Sequence, residues 1–104
     1  MDKARRGEVW LVDLGLAAKI RPCLVLNIPF EDHERALVTV VAHTTSIRKT
    51  RFEVESQVRF LNTGVFDAQN LITIPQVKLL KKLGVLPLPQ LAKVEEVVRK
   101  WLGL

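Results

Sequence analysis

Five short runs rich in Val, Leu and Ile punctuate this sequence, at Val9–Leu14, Pro22–Asn27, Ala36–Ala42, Phe52–Glu55 and Leu71–Ile74, each closed by Gly, Pro, Asn or a cluster of charges. Aliphatic runs of this length between turn formers read as β-strands, being too short for stable helices. Strand side chains alternate between two faces. In the third run Val38, Val40, Ala42 and Thr44 therefore share one face, and Thr39, Val41, His43 and Thr45 share the other. In the fourth, Phe52 and Val54 oppose Arg51, Glu53 and Glu55, the pattern of an antiparallel strand with one wet face.

The end of the chain changes period. After Pro87-Leu88-Pro89, apolar Leu91, Val94, Val98 and Trp101 recur at helical spacing, and Val97 widens the stripe,. Pro89 suits the first helical turn and Gly103 a left-handed stop. Glu95 with Arg99 and Glu96 with Lys100 are four apart, the spacing of favourable helix pairs,. The pattern predicts a helix of about fourteen residues. With 104 residues, the chain is read as one domain, a compact antiparallel barrel capped by a helix.

Its 48% hydrophobic and 26% charged residues suit a folded chain,. Sixteen Lys and Arg against eleven Asp and Glu give a formal charge of +5, which favours anionic partners without naming one. The single cysteine, Cys23, lies in an apolar strand and is read as a small buried hydrophobe suited to a reducing compartment,. No apolar stretch reaches the roughly 18 residues that span a bilayer, and a cytoplasmic protein without membrane contact is expected. Two His and one Cys at no zinc-like spacing supply no metal site,, and His33 within Glu31-Asp32-His33-Glu34 reads as part of a solvated turn. No Gly-rich phosphate loop follows a strand, so no nucleotide cofactor is expected. Basic residues gather at Lys19 and Arg21, at Arg48, Lys49 and Arg51, and at Lys78, Lys81 and Lys82. Such groups serve either a nucleic-acid surface resting on phosphate and sugar or plain solubility.

Three motifs add a resemblance. Arg6-Gly7-Glu8-Val9-Trp10-Leu11-Val12-Asp13-Leu14, then Arg21-Pro22-Cys23-Leu24-Val25-Leu26, then a Val-rich strand ending in Thr44-Thr45-Ser46 resemble the MazF/PemK toxins of bacterial toxin–antitoxin systems, nearly end to end. The resemblance implies a mainly β (α+β) fold: an SH3-like antiparallel barrel of five to seven strands with a C-terminal helix. It also implies a homodimer, a cognate antitoxin bound over the active groove, and metal-independent cleavage of single-stranded RNA at short motifs. In that chemistry the ribose 2'-hydroxyl attacks the adjacent phosphorus, leaving a 2',3'-cyclic phosphate and a 5'-hydroxyl.

The resemblance places the chemistry on named residues. Arg21, just before Pro22, matches the family's catalytic arginine, and its permanently charged fork suits a phosphorane. Thr44 matches a threonine able to hold a phosphate oxygen. Asp67 is the candidate acid or base, and His43, on the face opposite Thr44, is held in reserve. Lys19, Thr45, Ser46, Arg48, Lys49, Arg51, Gln69, Thr73 and Lys78 are the candidate RNA contacts.

Three stretches depart from the family pattern. Asp67-Ala68-Gln69 carries one residue more between acid and Gln, which reverses a strand face unless a bulge absorbs it. Ile72-Thr73-Ile74-Pro75 replaces an Arg-Thr-Ile-Asp run, leaving Arg21 to combine two roles. The loop Gly15–Ile20 is shorter and more apolar than that of many relatives. A non-catalytic RNA-binding module, or a protein-binding inhibitor like the gyrase-poisoning relatives, is the alternative on the same barrel.

Overall fold

The structure is a computed structural model that describes residues 3–15 and 19–104. Residues 16–18 of the first loop, on which its apolar reading rests, lie outside the described residues. Six strands form one antiparallel sheet: β1 (Glu8–Asp13), β2 (Ile20–Val25), β3 (Leu37–Thr44), β4 (Glu53–Glu55), β5 (Val65–Pro75) and β6 (Leu79–Val85), followed by α1 (Leu88–Leu102). Their order is β4-β5-β3-β2-β1-β6. The sheet curls until its two ends meet: Phe60, in the loop between β4 and β5, packs on Gly84 of β6 so closely that a Cβ there would stand 2.5 Å from the ring. The barrel and its closing helix are as the sequence predicts.

Alternation divides the core in two. Val41, Phe66, Ala68, Val9, Leu24 and Val54 face α1, whose Leu91, Val94, Val97 and Val98 are buried against them. Val38, Val40, Ala42, Cys23, Val25, Val12 and Leu79 form a second cluster on the other face of the sheet. Burying either set contributes about 25 cal/mol per Å² of apolar area. The stop at Gly103 is left-handed, with φ 72°, and the Leu104 N–H closes it on the Arg99 carbonyl,. Trp101 is half-exposed and meets Phe52 edge-on. Glu96 pairs with Lys100 as expected, whereas Glu95 pairs with Arg6 instead of Arg99.

The opening motif is an anchor. The Arg6 guanidinium bonds the Leu26 carbonyl and Glu95 of α1. Glu8, almost buried, accepts from the Arg5 N–H at 2.9 Å and the Trp10 indole at 3.1 Å, and pairs with Lys82 of β6 at 2.9 Å. Arg-Gly-Glu-Val-Trp thus ties the chain start to β6 and α1. Lys81 and Lys82 of the third basic group stand on that paired strand.

Candidate active site

Pairing of β2 with β3 runs only from Cys23↔Ala42 to Val25↔Val40. Pro22 has no N–H to extend a ladder. The same register carried two residues further sets Arg21 opposite Thr44. Because Arg21 shares a face with Cys23 and Val25, and Thr44 with Val38, Val40 and Ala42, both side chains stand at the rim of the second core cluster,. Each is half-buried.

The acid arrives by an irregularity in β5. Val41 pairs with Leu71 and His43 with Phe66, so two steps along β3 are matched by five along β5. The surplus residues bulge out beside Ala42. The Asp67 carboxylate stabilises the turn by accepting the Gln69 N–H at 3.0 Å, while Phe66 and Ala68 stay in the core. Asp67 therefore points away from that core, toward the face of Arg21 and Thr44. Asn70, three residues on, reaches the same space.

The loop after β3 completes the site. The Thr44 hydroxyl accepts the Ser46 N–H at 3.0 Å, which leaves its proton available to a ligand. Arg21, Thr44, Ser46, Arg48, Asp67 and Asn70 line a single open cleft of about 380 Å³. Two guanidinium groups face one carboxylate there, a field that suits a phosphodiester. The cleft lining holds one carboxylate and no imidazole or thiol, and among the described residues no three His, Cys, Asp or Glu side chains gather as a metal site.

Other candidates lie elsewhere. Lys19, Thr45, Lys49, Gln69 and Lys78 are exposed outside the cleft lining. Arg51 stacks on the Phe52 ring, 4.6 Å from its centroid. Thr73 shares a 2.8 Å hydrogen bond with Thr39 further along the sheet. His43 is buried, meets Phe66 edge-on and bonds Ser56 at 2.9 Å. Burial holds its imidazole below the ordinary histidine range. Ser56 gives its one proton to the Gly64 carbonyl, so the His43 Nε2 is the donor between them. Cys23 is wholly buried, and burial pushes its thiol up to about 12, a value that the Arg21 charge only partly opposes.

The sequence reading missed Asn70. Period two puts it on the face opposite Asp67, and only the bulge reverses that. The one signal available was the extra residue in Asp67-Ala68-Gln69, which permits a bulge.

Residues 5–102 match the family described as "PemK-like, MazF-like toxin of type II toxin-antitoxin system". The chain belongs to that toxin family. No curated protein sequence matches it with significant similarity. Among solved structures, an endoribonuclease from a mycobacterial species, in complex with its cognate antitoxin, superposes with a TM-score of 0.84 at 27% identity, over 97% of this chain and 96% of that one. The Mycobacterium tuberculosis toxin MazF-mt6 gives 0.78 at 28%, over 93% and 97%. The MazE–MazF structure from Deinococcus radiodurans gives 0.84 at 20%, over 100% and 99%, a likeness of fold. The cleft described above is thus carried on a MazF-type barrel.

Proposed function

We propose that this toxin is an endoribonuclease that cuts single-stranded RNA at short sequence motifs without a metal ion. The observation that supports it is the convergence of Arg21, Thr44 and Asp67, from three strands, on one cleft in a chain of the PemK/MazF family. Asp67 takes the proton of a ribose 2'-hydroxyl, whose oxygen attacks the adjacent phosphorus. Arg21 forks onto the non-bridging oxygens as charge builds on them, and Thr44 donates to one of them. The bond from phosphorus to the 5' oxygen then breaks, leaving a 2',3'-cyclic phosphate on one fragment. A guanidinium does not give up its proton near neutrality. Arg21 therefore steadies the departing 5' oxygen by hydrogen bond, and that oxygen takes its proton from water. Ser46, Arg48 and Asn70 hold the flanking nucleotides. A cognate antitoxin that covers this cleft would silence it, and a homodimer is the assembly that we assign to the active toxin.

The test is incubation of a mixed-sequence single-stranded RNA with the toxin in EDTA, followed by analysis of fragment ends. Cyclic phosphate and 5'-hydroxyl ends, with the matching DNA intact, are expected. Intact RNA at stoichiometric protein would remove the enzyme, and binding without cleavage would select a non-catalytic RNA-binding module.

A further inference from the structure

The loop between β3 and β4 brings Ser46 and Arg48 to the cleft, and its shape converges on one carboxylate. The Arg48 N–H donates to both Glu53 oxygens, at 3.0 and 3.2 Å, and the Thr50 N–H donates to one at 3.1 Å. The Glu53 N–H returns to the Thr50 carbonyl, and the Phe52 N–H to the Thr50 hydroxyl. Lys49 adopts a left-handed φ of 60° within this turn, a conformation that a non-glycine residue holds only where its surroundings impose it. The backbone amides thus form a small anion-binding nest, and the chain's own side chain fills it.

Glu53 also stands directly opposite Asp67 in the β4–β5 ladder, where two carboxylates would repel. The amide bonds engage Glu53 and turn it toward the loop. The Arg48 N–H is the chief cause that holds its carboxyl below the ordinary range, outweighing the rise from burial, with the Thr50 and Lys49 N–H groups and the Arg48 charge adding to the effect.

We infer that Glu53 is a positioning residue for the RNA-binding cleft: it freezes the loop so that Ser46 and Arg48 present preformed contacts to the RNA backbone. This rests on the ribonuclease reading above. Pre-ordering spares the RNA the cost of arranging a mobile arginine. It also explains why a carboxylate is kept beside a surface meant for an anion.

Sign separates this role from a plain charge effect. On charge alone, Glu53→Gln removes repulsion and tightens RNA binding. As a positioning residue, its loss weakens binding by about tenfold, the worth of one charge-assisted contact. The probe is a fluorescent 2'-O-methyl single-stranded RNA, which the toxin can bind but not cut, followed by anisotropy. Glu53→Gln is expected to bind about tenfold more weakly, and to cost clearly less than that in an Arg48→Ala background, where only the Ser46 contact is left to position. Glu53→Asp, which keeps the charge on a shorter stem, is expected to restore part of the loss even if Glu53→Gln folds poorly. Tighter or unchanged binding by Glu53→Gln, or full additivity with Arg48→Ala, overturns the inference while leaving the nuclease intact. Wild-type toxin that neither binds nor cuts RNA overturns both. In the protein alone, the Arg48 and Thr50 amide protons should shift together as Glu53 titrates; amides that ignore that titration overturn the loop anchor without reference to RNA.

Discussion

Arg21 and Thr44 stand opposite one another just beyond the last bonded pair of β2 and β3, where Pro22 lets the two strands part. If this pair grips one phosphodiester, Arg21→Ala should lower the initial rate of RNA cleavage by about 10² to 10³, the usual loss for one donor to a developing oxyanion. Arg21→Lys keeps the charge but not the fork and should recover only part. Thr44→Ala, which deletes one neutral hydrogen bond, should cost about tenfold or less. Equal losses at the two positions would deny Arg21 its leading part.

Lys82→Met leaves the nearly buried Glu8 carboxylate without its ammonium partner, and should cost about 1 to 2 kcal/mol because Lys82 itself is half-exposed to water,. Burial raises the Glu8 pKa, but the bonds from the Arg5 N–H, Lys82 and Trp10, with the Lys82 charge, outweigh it and hold the carboxyl below its ordinary value. A carboxyl lowered in the folded state contributes stability above its unfolded pKa of about 4.3, and loses it as pH falls through the folded value. Urea midpoints measured from pH 7 to pH 3 should drop on that acid limb, and Glu8→Gln should flatten the drop.

His43 acts at higher pH and with the same sign. Burial lowers its folded pKa, so the unfolded chain binds more protons below about pH 6.5,. Stability should be full above that pH and decline as acid protonates the unfolded imidazole. The ring meets Phe66 and Ser56, and burial is the cause of the shift. His43→Gln should remove the decline between pH 6.5 and pH 5 in urea titrations, and should leave binding of a single-stranded RNA probe unchanged.

Gly64 lies against the end of β3. A methyl group there would stand 2.3 Å from the Thr44 carbonyl oxygen and 2.8 Å from the His43 ring, closer than backbone atoms permit. Gly64→Ala should therefore destabilise by about 1 to 3 kcal/mol and reduce cleavage as well, since the displaced atoms carry Thr44. Gly103→Ala is a useful contrast: nothing lies within 4 Å, so only its left-handed φ is penalised, by about 1 kcal/mol, and cleavage should not change. Thermal melts and cleavage rates of the two variants distinguish strain at the site from strain far away.

What could be read from the sequence followed the regularity of each element. The α1 stripe obeys one period from Leu91 to Val98, and its boundaries emerge within a residue or two because Pro89 and Gly103 punctuate it. The two faces of β3 also follow from counting. Strand β6 escapes that count: Leu79-Leu80-Lys81-Lys82 pairs like with like, and its ladder to β1 shifts register twice, so period two never forms. The same cause limits the reading of the site. Arg21 and Thr44 lie on regular strands and are each picked out by the family resemblance, whereas Asp67 and Asn70 lie on a bulge. Glu53 read only as the wet side of a short strand, because its partners are amides of a loop whose turn no spacing announces.

The bulge in β5 separates two kinds of inheritance. Beyond it Val41 and Leu71 keep their pairing, and before it His43 and Phe66 keep theirs, so a residue gained or lost at the exposed Gln69 and Asn70 would leave the flanking hydrophobic layers in step. Descendants of such a barrel can therefore re-aim the acid and amide of the cleft, and under the ribonuclease proposal try new cutting preferences, while the scaffold beneath them goes on folding unaltered.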